Sequence, residues 1–419
     1  MMKSSMCIVT ILIIYGRVSV GLGRISDDSI TNRLDYVIEE VFLKAPEKPE
    51  GAPEQVPGEI GDAGTFIEYY LVGNNAYLHN DYLGCAYFFE KALQEYKDYS
   101  AVVANCRITC EYEKNNGKPL YPENPENIHF YDGIVRKTLC LKKCLFRDLS
   151  KAYRFFEVDD TFREIFHSRK AYEYLQLCHY KNGDIDKAVS AATTVLAMFP
   201  EHKLSVSNLK YYTTLPEFHK SFLKDLEEKR FVKYYLKGMD LYRESKWKES
   251  IEEFEKSLQT FVQEEDICRA FCEGSFNQGW HPDLATSTAN HFTYCLRCKR
   301  NCTTDMSIVG SEKYPDVFPS HYEYLQFSYF NIGHIEEAIK CTVTYLLFFP
   351  ENQMMLDNLE FYKKHPEAKD DFFTVRSEAL EYYQRARYEK TLLQFINEEF
   401  TKFFEAQKTK EALMETNSI

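Results

Sequence analysis

Residues 172–212 read YEYLQLCHYKNGDIDKAVSAATTVLAMFPEHKLSVSNLKYY, and residues 322–362 read YEYLQFSYFNIGHIEEAIKCTVTYLLFFPENQMMLDNLEFY. A constant shift of 150 residues aligns the two stretches and pairs Tyr172 with Tyr322 and Pro200 with Pro350. Unrelated segments would not keep one register over about forty positions, so the sequence predicts an internal duplication.

Each copy also fits the helix–turn–helix pattern of tetratricopeptide repeats, which are about 34 residues long. In the first copy Leu175 is the large apolar residue, and Ala188 is the small residue that lets two helices approach closely. Pro200 ends the second helix because proline has no N–H to continue the hydrogen-bond ladder. Gly183 and Gly333 mark the turns between the helices of the two copies.

A first hairpin precedes each of these copies. Residues 67–93 align with residues 232–258 at a shift of 165, with Gly73 on Gly238 and Phe89 on Phe254. The predicted fold class is therefore all-α, an α-solenoid of duplicated tetratricopeptide-like hairpins. The predicted organisation is a signal peptide (1–23), an N-terminal segment with a Pro/Glu-rich linker (24–64), two helical repeat halves (65–230 and 231–370), and one or two C-terminal helices with a tail (371–419).

The chain begins like a secretory precursor. Lys3 precedes the apolar run of residues 6–16, and small residues follow, so we expect cleavage after Gly21 or Gly23. An eleven-residue run is too short to span a bilayer. The net charge of −13 disfavours a nucleic-acid partner, which needs a basic face. We expect the mature protein to be soluble in an oxidising compartment of the secretory pathway.

Thirteen cysteines include four CxxxC pairs, and this spacing places both sulfur atoms on one helix face. Two such helices packed antiparallel can be joined by two disulfide bridges. Because the lumen is oxidising, disulfides are favoured over the alternative, which is two Cys₄ zinc sites. The cysteines thus staple the solenoid. The predicted bonds are Cys106–Cys144, Cys110–Cys140, Cys268–Cys302 and Cys272–Cys298.

The other cysteines receive simpler interpretations. Cys295 forms a CxxC with Cys298, but no thioredoxin-like βαβ pattern surrounds it. We expect Cys85, Cys178 and Cys341 to be buried thiols at helix-packing positions. Asn301 begins a glycosylation sequon whose middle residue is a predicted disulfide partner, so we do not expect its use.

These features together resemble the leprecan family. The motifs that carry the resemblance lie within about residues 65–400. In the hydroxylases of that family this region precedes a 2-oxoglutarate dioxygenase domain, whereas this chain stops soon after the repeats, like the family's non-catalytic branch. The motifs are Tyr174-Leu175-Gln176, Tyr324-Leu325-Gln326, Asn208-Leu209 with Tyr211-Tyr212, and Arg269 between Cys268 and Cys272 followed by Glu273-Gly274.

The resemblance implies a non-enzymatic partner of a collagen prolyl 3-hydroxylase and of a cyclophilin-type prolyl isomerase, acting on procollagen directly or through that complex. It also implies a protein of the endoplasmic-reticulum lumen, with secretion to the extracellular matrix as the alternative. Partnership in a collagen lysyl hydroxylase complex is the alternative from the same family. A generic lumenal co-chaperone with tetratricopeptide grooves is a second alternative.

An iron dioxygenase would need two histidines and one carboxylate on one metal. His281-Pro282-Asp283 has the HxD form, and His291 or His321 would be the distal ligand. Such sites need a β-strand scaffold, and strand-like alternation is scarce in this sequence, so we expect structural roles for these residues. The chain contains neither GxSxG nor GxxxxGK[ST]. We predict no catalytic residue, cofactor or metal.

Overall fold

The computed structural model describes residues 64–116, 118, 121–153, 158, 160–276, 283–309, 312–314 and 316–416. The predicted signal peptide and almost all of the predicted linker lie outside these ranges. No helix within them combines the length and the apolar character needed to cross a membrane.

The first half consists of a helical hairpin, a cross-linked helix, a short helix and a three-helix repeat. Thr65 begins the chain of helices with a capping box, in which its side chain and that of Glu68 each accept a hydrogen bond from the other's backbone N–H. Short 3-10 turns cover Pro125–Asn127, Lys151–Tyr153 and Lys220–Phe222. The helices are α1 (Phe66–Leu78), α2 (Tyr82–Asn116), α3 (Ile128–Asp148), α4 (Asp160–His167), α5 (Lys170–Asn182), α6 (Ile185–Met198) and α7 (Lys203–Tyr212).

The second half repeats this order, except that two short strands stand in the place of the short helix, and a long helix follows it. The predicted C-terminal helices are one helix in the structure. Two antiparallel strands of two residues each, β1 (Ile308–Val309) and β2 (Glu312–Lys313), are the strands found in the described ranges. The helices are α8 (Arg230–Arg243), α9 (Trp247–Phe271), α10 (Leu284–Asp305), α11 (Val317–Asn331), α12 (Ile335–Phe348), α13 (Gln353–Lys363) and α14 (Ser377–Thr416). The all-α prediction is confirmed.

The two first hairpins close in the same way. A Cβ atom on Gly73 would lie 3.2 Å from the ring of Phe89, and one on Gly238 would lie 3.1 Å from the ring of Phe254. Each glycine therefore lets an aromatic ring of the second helix rest on the backbone of the first. The glycine and the phenylalanine that align at a shift of 165 residues are thus required by the same packing in both halves.

The same rings connect the first hairpin of each half to the repeat that follows. Phe89 stacks on Tyr174 with ring centroids 5.4 Å apart and an interplanar angle of 2°. Phe254 stacks on Tyr324 at 5.0 Å and 1°. Parallel stacked rings add about 0.5–1.5 kcal/mol to the burial of their area, so these pairs fix one hairpin against the next.

Each repeat contains three helices rather than the two of the tetratricopeptide pattern. Gly183 and Gly333 have φ values of 87° and 79°, a left-handed conformation that glycine tolerates best, and they form the predicted turns. The unpredicted third helix, α7 or α13, begins at an N-cap: His202 accepts from the N–H of Ser205, and Asn352 from that of Met355. Because each repeat has this third helix, the duplicated stretch extends past Pro200.

The small residues of the repeats lie fully inside the protein. Ala188 packs in a cluster with Val189, Ala192 and Tyr212, and Ala338 packs with Ile335, Ile339 and Tyr362. Both alanines are 0% exposed. A larger side chain at either position has no space without moving a neighbouring helix.

We expect Ala188→Leu or Ala338→Leu to lower the free energy of unfolding by about 1–3 kcal/mol through overpacking. Urea unfolding of the purified protein measures this change. Ala285→Leu, at an exposed position on α10, is the matched control and should stay within about 0.5 kcal/mol of the wild type. Equal stability of the Ala188 and Ala285 variants would show that the repeat register is wrong.

Candidate functional site

The structure brings together the four cysteine pairs that the CxxxC spacing predicts. Their Cα atoms lie 5.6 to 5.9 Å apart, within the range that a disulfide requires. Two of these disulfides join α2 to α3, and the other two join the end of α9 to α10. We call each pair of disulfides a cysteine ladder. The one group of three potential metal ligands in the described ranges is Cys106, Cys144 and Asp148, and its two cysteines are bonded to each other.

The prediction for Cys85 and Cys178 is wrong. These residues form a fifth disulfide, with Cα atoms 6.1 Å apart and a separation of 93 positions in sequence. Both are 0% exposed, so the burial was predicted but not the bond. Their helices, α2 and α5, come into contact only through tertiary packing, which a single-helix spacing cannot reveal.

Two thiols remain free in the described ranges. Cys341 is buried, as predicted, and burial raises its pKa to about 12, so it stays protonated. Cys295 is partly buried, and burial raises the pKa of its thiol as well. Asn301 is exposed on α10 beside Cys302, which is 1% exposed and bonded to Cys268.

The motif at the end of α9 lies where the two halves meet. The guanidinium of Arg107 on α2 donates to the carbonyl oxygens of Ala270 and Phe271, each at 2.9 Å. Its charged carbon lies 5.8 Å from the centre of the Phe271 ring. These bonds satisfy carbonyl groups at the C-terminal end of a helix, where a positive charge is favourable.

Glu273 completes this junction with ion pairs to both halves. It accepts from Lys137 of α3 and from Lys299 of α10, each at 2.6 Å. Burial opposes its ionisation, but the hydrogen bonds from these two ammonium groups outweigh burial and lower its pKa. Lys137 also pairs with Glu111, whose pKa falls to about 2 although burial alone would raise it. The leprecan-like motif thus holds the halves together.

The residues of the predicted HxD pattern have structural contacts where the structure describes them. Asp283 is the N-cap of α10 and accepts from the N–H of Thr286 at 2.9 Å. His291 lies 3.0 Å from the carbonyl oxygen of Gly274 through Nε2 and stacks on Phe276. His281 lies outside the described residues.

His321 is a core residue of the second half. It is 0% exposed, and its Nδ1 donates to the carbonyl oxygen of Val317 at 2.7 Å. Its Nε2 lies 2.8 Å from Oγ of Ser257. Burial lowers the pKa of His321 to about 4, so the ring is neutral at pH 7. In the first half, Ala171 is equivalent to His321 and Ala92 is equivalent to Ser257, and both alanines are 0% exposed.

His321 should make the protein less stable in acid. The unfolded chain protonates this histidine near pH 6.5 and the folded chain near pH 4, so between these values protons favour unfolding. We expect a loss of about 2 kcal/mol between pH 7.5 and pH 5 from this group alone. Urea unfolding at both pH values should show the loss in the wild type and not in His321→Gln, which keeps polar atoms but does not titrate. Equal pH dependence of the two proteins would contradict the assignment.

Both halves display an aromatic cluster at the surface of the third repeat helix. In the first, Tyr180, Tyr211 and Tyr212 have centroids 5.2 to 6.2 Å apart. In the second, the equivalent Phe330, Phe361 and Tyr362 lie 5.5 to 5.9 Å apart. One ring of each cluster is half exposed: Tyr211 at 49% and Phe361 at 51%. Tyr211 belongs to the motif of Asn208-Leu209 with Tyr211-Tyr212, and Phe361 to the duplicated NLxFY block, but the sequence did not indicate that either ring is exposed.

Two concavities among the described residues are of modest volume. One of about 200 Å³ lies between Phe261, Met306, Phe318 and Tyr382. A second, of about 540 Å³, lies at the start of α12 and is lined by Glu336, Glu337, Glu367 and Lys369. Neither contains His291 or His321.

Comparison with known proteins gives matches over most of the chain. A model of the leprecan family TPR-like repeat region matches residues 66–366. Prolyl 3-hydroxylase 1 of Mus musculus is 33% identical over 352 residues, covering 79% of this chain and 47% of that protein. Cartilage-associated protein of Homo sapiens is 29% identical over 301 residues, covering 70% of this chain and 73% of that protein.

The chain therefore spans about half the length of the prolyl 3-hydroxylases that it matches; the same holds for prolyl 3-hydroxylase 2 of Rattus norvegicus, at 29% identity and 46% of its length. The matched region contains both cysteine ladders, both aromatic clusters and the junction. The chain belongs to the leprecan family.

Proposed function

We propose that this protein is a non-enzymatic scaffold of the endoplasmic-reticulum lumen that binds and stabilises a collagen prolyl 3-hydroxylase, together with a cyclophilin-type prolyl isomerase. In this role it supports the modification and folding of procollagen. The observation that carries the proposal is the leprecan repeat region, which forms a helical stack with five disulfide cross-links among the described residues.

Such a stack is suited to holding a partner. Solenoids of helical hairpins present extended surfaces, and cross-links keep that surface rigid before binding. The aromatic clusters with Tyr211 and Phe361 repeat at equivalent positions of the two halves, so the same chemistry is offered twice. Aromatic surfaces bind partner helices or polyproline-type chains.

The histidines that resemble iron ligands support the same proposal. His321 has both ring nitrogens in contact with core groups, and His291 has Nε2 on a carbonyl oxygen at the junction. Each therefore has a role in packing that accounts for its presence. We propose no catalytic step for this chain.

Binding to the folded hydroxylase would also stabilise it by mass action, since a ligand of the native state shifts the folding equilibrium. Loss of either partner should therefore deplete the other in the cell.

Affinity purification of the tagged full chain from the lumen of its own cells tests the proposal. We expect a prolyl 3-hydroxylase and a cyclophilin-type isomerase in amounts comparable to the chain. Recovery of a lysyl hydroxylase without a prolyl 3-hydroxylase, or of general chaperones alone, would overturn it in favour of the corresponding alternative.

A further inference from the structure

The outward face of α3 carries an unusual row of apolar side chains. α3 packs on α2 through the buried Gly133 and Cys144. On the opposite side, four large apolar residues follow the three-and-four spacing of one helix face, Lys142 takes the next position, and a fifth apolar residue ends the row about 27 Å from its start. Their exposed fractions run from 38% to 65%. We call them the α3 stripe: Ile128, Tyr131, Val135, Leu139 and Phe146.

An apolar stripe on a helix normally faces the core, whereas this one faces solvent. A row of exposed large apolar side chains on one helix face is typical of an interaction site. The inner side of α3 is already fixed, by two disulfides to α2 and by the ion pair of Lys137 with Glu273. The stripe is thus presented on a helix that is held in place before any partner arrives.

The second half shows what covers this face. The cysteine ladders align α3 with α10 at a shift of 158 residues, so Leu139 corresponds to Arg297 and Lys142 to Arg300. Arg297 donates to Oδ1 of Asn397 at 3.1 Å, and Arg300 donates to the carbonyl oxygen of Ala386 at 3.5 Å. Both acceptors belong to α14, so a helix lies on the equivalent face of α10.

The charge around the stripe favours an acidic occupant. α3 contains five basic and two acidic residues, a net charge of +3 in a chain whose net charge is −13. Lys142 and Lys143 are exposed beside the stripe, and among the described side chains no ion pair involves either. A second copy of this chain would bring a like-charged α3 to the same place, whereas an acidic helix would complement it.

We propose that the α3 stripe binds an amphipathic helix with acidic flanking residues, contributed by the prolyl 3-hydroxylase partner. This inference deepens the proposed function and rests on it. The apolar side chains of the partner helix lie on Val135 and Leu139, and its carboxylates lie beside Lys142 and Lys143.

The test measures binding of the full chain to the co-expressed and purified prolyl 3-hydroxylase by biolayer interferometry. We expect Val135→Glu/Leu139→Glu to raise the dissociation constant about 100-fold or more, mainly through faster dissociation. The control Leu83→Glu/Leu204→Glu adds the same charges at exposed leucines of α2 and α7 and should change it less than about threefold. Lys142→Glu/Lys143→Glu should slow association about tenfold and reduce its salt dependence.

The outcomes separate this inference from the proposed function. Failure of the wild-type chain to bind the hydroxylase overturns the proposed function and the inference with it. Wild-type binding that survives both α3 double substitutions overturns the inference alone. If Val135→Glu/Leu139→Glu lowers the melting temperature, its loss of binding does not test the stripe. The test is then made with Lys142→Glu/Lys143→Glu and with a photo-cross-linker placed at Val135. Cross-linking to an acidic helix of the hydroxylase supports the inference, and cross-linking to a second copy of the chain overturns it.

Discussion

Replacing Cys85 and Cys178 together with serine is expected to lower the free energy of unfolding by about 4–5 kcal/mol. The reason is the length of the loop, since the bond joins residues 93 positions apart. In the chain-entropy model a longer closed loop removes more freedom from the unfolded chain. Both residues are fully buried, so the serine hydroxyl groups add a further cost of desolvation.

The matched control is Cys110→Ser/Cys140→Ser. That bond spans 30 residues, inside the loop of 38 that Cys106–Cys144 already closes. Its removal should cost less than the roughly 3–4 kcal/mol expected for an isolated loop of that size. Urea unfolding under non-reducing conditions measures both variants, and peptide mapping without reduction checks all five bonds. Alkylation of Cys85 and Cys178 in the unreduced wild type would contradict the assignment.

Removing the guanidinium of Arg376 is expected to cost about 3–5 kcal/mol, because it leaves a partly buried carboxylate without its partner. Two nitrogen atoms of Arg376 donate to the two oxygens of Glu255, at 2.7 and 2.9 Å. Its Nε donates to Glu378 at 2.5 Å, and its charged carbon lies 5.5 Å from the ring centre of Tyr322. The side chain thus joins α9, α11 and the start of α14.

The pKa of Glu255 follows from the same contacts. Burial would raise it, but the hydrogen bonds and charge of Arg376 outweigh burial and lower it. The pair therefore stabilises the protein at neutral pH, and its contribution is lost as the pH falls through the lowered pKa of Glu255.

Chemical unfolding of Arg376→Ala measures the cost. Arg376→Lys should recover part of the loss, because an ammonium group keeps the charge but not the two-pronged geometry. Arg243→Ala removes an exposed arginine whose ion pair with Asp240 is also exposed, and should cost at most about 1 kcal/mol. Equal effects of Arg376→Ala and Arg243→Ala would rule out a central role for the Arg376 pair.

Several parts of the fold were predictable because they depend on local spacing. The CxxxC pairs place two sulfur atoms on one face of a helix, so pairing between neighbouring antiparallel helices follows from geometry. Gly183 and Gly333 are turns for a backbone reason that operates within a few residues. The shift of 150 residues similarly reflects packing that each half repeats, such as the burial of Ala188 and Ala338.

Other parts depend on contacts between distant segments, and the sequence alone could not supply them. Cys85 and Cys178 meet because α2 packs on α5. Arg376 occupies the place that Leu226 has in the first half; their backbone N–H groups donate to the equivalent Thr344 and Thr194. Since the first half lacks this arginine, the duplication gives no hint of its ion pair with Glu255. The duplication also gives no hint of the exposed α3 stripe, because the equivalent face of α10 is polar.

The proposal that the chain is a non-catalytic partner of a prolyl 3-hydroxylase is tested most directly by the 3-hydroxyproline content of procollagen. The measurement is mass spectrometry of procollagen from cells that lack this chain and from cells that express it again. We expect the content to fall by about tenfold or more without the chain, since the hydroxylase loses its stabilising partner. Wild type and His281→Ala should restore it equally, because His281 holds no iron in this account. Normal 3-hydroxyproline without the chain, or rescue by wild type but not by His281→Ala, would contradict the proposal.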